Sequence, residues 1–134
     1  MKTLISRFGF MFVMYIVLII WMLLWKEVLS LDYKTFTLFV AFVIAPLTET
    51  LFFQYLPNKL GEMFDGQKVM MWVATIFFIW WHKGNYPVYG WYLACLQGGY
   101  GLVFWYVNQK YGYWYAVALH SKLNISLYFM ATYL

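Results

Sequence analysis

Four polar residues in this sequence could do chemistry together: Glu49, His82, His120 and Asn124. A carboxylate can take a proton from water, and a histidine can hold or polarise that water. Neutral His and Asn N–H groups can be aimed at negative charge developing on an oxygen. His120 and Asn124 are four residues apart, which on a helix puts them on one face a turn apart. Thr50 and Gln54 repeat that spacing directly after Glu49. No nucleophile accompanies them: Cys95 stands alone in an apolar segment as a buried thiol, and Ser121 is turned about 100° from His120 on the same helix.

The background makes these residues informative. Of 134 residues, 65% are hydrophobic, 25% aromatic and 10% charged. A soluble globule of this length buries only about two-thirds of its unfolded surface and cannot hide so much apolar side chain. That excludes a soluble domain, a disordered chain and a disulfide scaffold, and leaves one all-α bundle of transmembrane helices. At about 20 residues per span, four or five fit. The net charge of +4 comes from lysines placed one or two to a loop, without a basic run or stripe, so nucleic acid is not an expected partner. An ionised group at membrane depth costs about 2.5–3.5 kcal/mol on insertion scales, so Glu49 must be neutral, paired or facing a wet cavity. Alone, His82 reads as an interfacial histidine and Asn124 as an interhelical hydrogen bond. That both histidines of the chain and its only intramembrane acid lie in or at the edge of spans would take three coincidences.

The chain is expected to form a single domain, 1–134, with spans at about 8–25, 35–56, 67–82, 88–107 and 113–134. The first follows Lys2 and Arg7 and lacks a small-residue cleavage site, so it reads as an uncleaved helix. Pro46 bends or restarts the second span three residues before Glu49, and Pro57 stops it. Trp25, Tyr33, Trp81, Trp105, Tyr111 and Trp114 crowd the ends of runs as interfacial belts do. Gly90, Ala94 and Gly98, at four-residue spacing, form a small face for close helix packing. Five basic residues against three favour a cytoplasmic N-terminus in a cell membrane. The depths are awkward. Glu49 lies about 12 Å from Pro57 and His82 about 21 Å from Lys68 at 1.5 Å per residue, so the two meet only if a helix tilts or restarts, or the loop dips inward.

Three segments carry a resemblance. Pro46-Leu47-Thr48-Glu49-Thr50-Leu51-Phe52-Phe53-Gln54 resembles the E-E-x-x-x-R motif of the CAAX-processing and bacteriocin-processing intramembrane proteases (the CPBP or Abi family). Phe78-Ile79-Trp80-Trp81-His82 is similar to its F-x-x-x-H, and His120-Ser121-Lys122-Leu123-Asn124 to its H-x-x-x-N. The similarity runs from about Pro46 to Asn124. Two positions depart from it: the family's second Glu is Thr50 and its Arg is Gln54. A neutral Thr–Gln pair four apart can replace an ion pair with a hydrogen bond.

The resemblance implies a glutamic-type intramembrane endopeptidase acting on a membrane-associated or leader-type peptide. Glu49 is then the general base with His82 helping to hold the water, His120 and Asn124 are the oxyanion donors, and Thr50, Gln54 and Phe78 support them. No cofactor is implied. A zinc alternative would use Glu49, His82 and His120 with an open water position. The expected partners are a peptide or small membrane-protein substrate, the lipid bilayer, and a partner membrane subunit or second copy. A catalytically silent relative acting as a peptide-binding, immunity or complex subunit is the alternative, favoured by the departures at Thr50 and Gln54. A proton channel or transporter has least support, since no inverted repeat is visible.

Overall fold

Neither Pro46 nor Pro57 ends the second helix. In the computed structural model, which describes residues 9–10, 12–17, 20, 37–85 and 90–133, one helix runs through both prolines from 37 to 63. Two π-helical stretches make this possible, Val40–Ile44 and Leu51–Tyr55, each followed two residues later by the proline. Proline lacks an N–H and its ring crowds the carbonyl of the preceding turn. A widened turn just before the ring relieves both problems, so the axis continues. The second widened turn also lets Phe52, Phe53 and Gln54 all face inward.

We label the helical residues 12–17 α1 and the helix at 37–63 α2. Three more helices follow: α3 (Gln67–His82), α4 (Gly90–Tyr111) and α5 (Tyr113–Tyr133), with a short 3-10 turn at Lys83–Asn85 after α3. Every regular element among the described residues is helical, as expected. Most of the first expected span, and the turn at Pro87, lie outside the described residues. Within α2, Val40–Met63 is 24 residues and contains an 18-residue stretch with a mean hydropathy of 1.3, and it is the one described helix long and apolar enough by those measures to cross a membrane. Helices α4 and α5 are 22 and 21 residues long, about 30 Å at 1.5 Å per residue.

The turns are tight and chemically specified. After α2, Asp65 takes a positive φ of 55° and Gly66 N–H bonds back to the Gly61 carbonyl at 2.8 Å, a Schellman closure that satisfies the helix end. Gly112 alone joins α4 to α5. Its φ of +98° is a backbone state that glycine adopts without steric cost, and its N–H bonds to Asn108 O at 3.0 Å.

Extending α2 to Met63 removes the mismatch of depths. Glu49 lies fourteen residues before that end, and His82 lies fifteen residues after the start of α3 at Gln67. Both therefore sit roughly 21–22 Å from the same turn.

Small residues set how closely α3 and α4 approach. A Cβ on Gly98 would stand 2.5 Å from Ile79 Cγ1, and one on Gly101 would stand 3.0 Å from the Phe78 ring. Ala94 is fully buried on the same helix, so the expected face is used, with Gly101 in addition. Cys95, one position round the helix from Ala94, is exposed and not buried, because the packed face is narrow. Phe52, Phe53, Met70, Ala74, Phe78 and Trp105 fill the space between α2, α3 and α4, with Tyr15 from α1 against them. Trp105, expected in an interfacial belt, is thus a core residue. Trp72, Trp80, Trp91, Tyr92, Leu96, Tyr106 and Trp114 are exposed, an apolar surface larger than water would tolerate.

Candidate active site

Glu49 stands on α2 in the six-residue α-helical stretch Ala45–Thr50 between the two π-helical ones. Its Oε2 is 3.3 Å from Nε2 of His82, at the end of α3, and 3.5 Å from Nε2 of His120, in the middle of α5. Its Oε1 accepts the indole N–H of Trp81 at 3.3 Å. The carboxylate is only 12% exposed, and the two histidine side chains 6% and 4%. Three helices thus bring together Glu49 and both histidines of the chain, 33 and 71 positions away. The cost of an acid at this depth is offset by three nitrogens directed at it.

Each histidine is held on its far side. His82 Nδ1 is 2.8 Å from the Phe78 carbonyl one turn back, and the Phe78 ring lies 4.2 Å from its imidazole, centroid to centroid. Gly101 leaves the room in which that ring sits. His120 stacks on Phe104 at 4.4 Å and 21°, and its Nδ1 is 3.4 Å from Thr50 Oγ1. The expected Thr50–Gln54 hydrogen bond does not form. Thr50, fully buried, turns to His120 on α5, while Gln54 Oε1 is buried with no hydrogen-bond partner among the described residues. Side chains four apart on a helix are neighbours, but here the Thr50 hydroxyl takes its partner from α5.

Asn124 has a specific structural task. In the π-helical stretch Val40–Ile44, Ala45 N–H bonds the Val40 carbonyl five residues back. In that register the Ala41 carbonyl would be served by the N–H of residue 46, which is proline and has none. Asn124 Nδ2 donates to Ala41 O instead, at 2.9 Å. One of its two amide hydrogens is thereby used, and the other is available to the cavity that Asn124 also lines.

That cavity, about 20 Å³, is lined by His82, Gln97, His120 and Asn124 together with the rings of Phe78, Tyr100 and Phe104. It has room for about one water. Gln97, on α4, was not among the expected site residues, yet it lines this cavity and its Oε1 is buried without a hydrogen-bond partner among the described residues. The signal for it was a lone amide in an apolar helix, three residues from Ala94 and one from Gly98. Trp81 was likewise read as part of an interfacial belt, and its indole instead serves Glu49. Tyr113 ties α5 to α2 by donating to the Leu47 carbonyl at 2.8 Å, two residues before Glu49.

The zinc alternative draws on Glu49, His82 and His120. Among the described residues, no group of three His, Cys, Asp or Glu side chains is spaced to hold a metal ion.

No curated protein and no solved structure matches the chain at a significant level. A family model does match, over residues 31–126, which hold all four candidate site residues and more than two-thirds of the chain. The model is that of the type II CAAX prenyl endopeptidases, Rce1-like, a family of membrane proteins, and the chain belongs to that family.

Proposed function

We propose that this chain is an intramembrane endopeptidase that hydrolyses a peptide bond in a membrane-associated or leader-type peptide without a metal cofactor. The observation that carries the reading is a single carboxylate, Glu49, set between the Nε2 atoms of His82 and His120, two side chains that also line a cavity the size of one water. Water that reaches Glu49 beside the two histidines gives it a proton while the water oxygen attacks the scissile carbonyl carbon. His82 orients the water. The carbonyl oxygen becomes an oxyanion that takes hydrogen bonds from His120 and from the second amide hydrogen of Asn124, donors of a kind worth about 3–4 kcal/mol of barrier each. Collapse of the intermediate breaks the C–N bond, and the proton held by Glu49 passes to the leaving amine. The family's substrates make a prenylated C-terminal peptide one candidate, and a bacteriocin-type leader peptide is another. The protein acts in the cell membrane with a cytoplasmic N-terminus.

Thr50 and Gln54, where the family motif has Glu and Arg, favour a second reading, a catalytically silent relative that binds a peptide or a partner subunit. Cleavage assays on protein reconstituted in bilayers separate the two, using both peptide classes with Glu49→Gln and His120→Ala beside the parent chain. Cleavage by the parent and loss of at least about 100-fold in each variant supports the protease. A parent that cuts neither peptide, while a partner co-purifies with all three forms, supports the silent relative. Activity that survives exhaustive chelation supports the metal-free mechanism, and activity lost on chelation and restored by zinc overturns it.

A further inference from the structure

The hydrogen bonds behind the two histidines decide which ring nitrogen of each carries its proton. Three threonines of the chain show what a helical hydroxyl ordinarily does and where one departs. Thr48 and Thr75 each donate to the carbonyl four residues back, at 2.8 Å, the local bond available to any threonine within a helix. Thr50 forms no such bond. It is 0% exposed, and among the described residues its hydroxyl has one hydrogen-bond partner, His120 Nδ1, at 3.4 Å.

Two arrangements of that contact are conceivable, and they differ in how many groups are left unsatisfied. If His120 carried its proton on Nδ1 and donated to Thr50, the buried hydroxyl hydrogen would have no acceptor. The Nε2 lone pair would also face the Glu49 carboxylate at 3.5 Å. Each fault costs about 1–3 kcal/mol. If Thr50 donates to Nδ1, both faults vanish: the hydroxyl is satisfied, and Nε2–H points at the carboxylate. His82 is fixed the other way. Its Nδ1 faces the Phe78 carbonyl at 2.8 Å, a carbonyl can only accept, and so Nδ1 of His82 carries a proton.

We propose that Thr50 is a positioning residue that holds His120 as the neutral Nε2–H tautomer, with no proton on Nδ1, whereas the Phe78 carbonyl keeps a proton on Nδ1 of His82. The site is then divided. Glu49 is the group that receives a hydrogen of water, and His120 is a permanent donor for a developing oxyanion. The tautomers follow from the structure alone, and their catalytic consequence rests on the protease reading above. A carboxylate at position 50 could not hold His120 in this way, because an acceptor at Nδ1 would demand a proton there. The neutral threonine therefore specifies a division of labour different from the one a charged residue would impose.

The test is ¹⁵N NMR of histidine-labelled protein in bilayers at neutral pH, which distinguishes protonated from unprotonated ring nitrogens without any substrate. The expected spectrum of the parent chain has His120 protonated on Nε2 and His82 on Nδ1. Thr50→Val, which keeps the shape and removes the hydroxyl, should shift the His120 tautomer ratio by about five- to tenfold, the equivalent of one hydrogen bond. Thr50→Ser should restore it. If the protein cleaves peptide, Thr50→Val should lower kcat by about 10–100-fold with KM within about twofold, and Thr50→Ser should recover most of the rate. His120 protonated on Nδ1 in the parent chain overturns the proposal, as does a tautomer ratio unmoved by Thr50→Val. Should Thr50→Val fail to fold, the spectrum of the parent chain decides by itself. A parent with the expected tautomers that cuts no peptide would sink the protease reading and leave the assignment standing.

Discussion

Glu49 is supplied with nitrogen partners on both of its oxygens, and this has consequences residue by residue. The Trp81 indole N–H is the donor to Oε1, so Trp81→Phe keeps an aromatic ring at the position and removes that bond. A hydrogen bond to a charged group is worth about 1.5–3 kcal/mol, and the expected outcome is a fall in kcat of about 10-fold or more with little change in KM, read in the cleavage assay. Gln97 offers a second case. Its buried Oε1 lacks a protein partner in a cavity the size of one water, and a buried acceptor of this kind ordinarily holds an ordered water. Gln97→Leu should therefore remove the water contact that magnetisation transfer from water to the Gln97 side-chain amide reports in the parent chain. It should also slow cleavage, whereas Gln97→Glu, which keeps an acceptor, should retain more activity than Gln97→Leu. Both residues were invisible as site members in the sequence for one physical reason: a Trp or Gln in an apolar helix has no periodic signature, and only the packing partner shows whether it faces lipid or a carboxylate.

Among the helices, α2 carries the mechanism's geometry in its irregularities. The Ala41 carbonyl is stranded by Pro46 in the π register, and Asn124 reaches across from α5 to satisfy it. Asn124→Ala should destabilise the protein by about 1–3 kcal/mol, the cost of an unsatisfied buried carbonyl. In a Pro46→Ala background residue 46 regains an N–H, and the cost of Asn124→Ala should fall by more than half. The double-mutant cycle, measured by reversible unfolding in detergent, checks the coupling, and strictly additive effects would contradict it. The α3–α4 contact makes a separate demand. Gly98 meets the Ile79 side chain at a distance no Cβ could share, so Gly98→Val should cost about 1–3 kcal/mol by overpacking and loosen the wall on which Phe78 and His82 depend. Helix type and most boundaries were legible from apolar runs. The far end of α2 was not, because Pro57 reads as a terminator unless the widened turn before it is known.

Across the whole molecule, aromatic side chains divide into an outer set and an inner set. Trp72, Trp91, Tyr92, Tyr106 and Trp114 are exposed, whereas Phe53, Phe104 and Trp105 are buried around the site. In a bilayer the first set meets lipid. A lipid-partitioned diazirine should label residues of that set severalfold more strongly than Phe53, Phe104 and Trp105, with mass spectrometry of the digested protein as the readout. Equal labelling of the two sets would show that the bundle is open. The family model's match over residues 31–126 spans α2, α3 and α4 and reaches into α5 past Asn124, so the whole site is built within the matched region.

The sequence by itself determined the environment, the helical class and the short set of residues able to react. Those follow from composition and from the rarity of polar groups at membrane depth, which are properties of residues one at a time. The three motifs also carried the order Glu49, His82, His120 and Asn124. Only the tertiary structure decided that Glu49 and His82 share a depth, because that depends on a helix continuing past Pro57. Tertiary packing likewise decided that Thr50 serves His120, that Asn124 serves Ala41 and that Trp81 faces inward. Each of these is a contact between residues far apart in the chain, and a hydrogen bond across helices is set by which faces meet, a property of the packed bundle that no single segment carries.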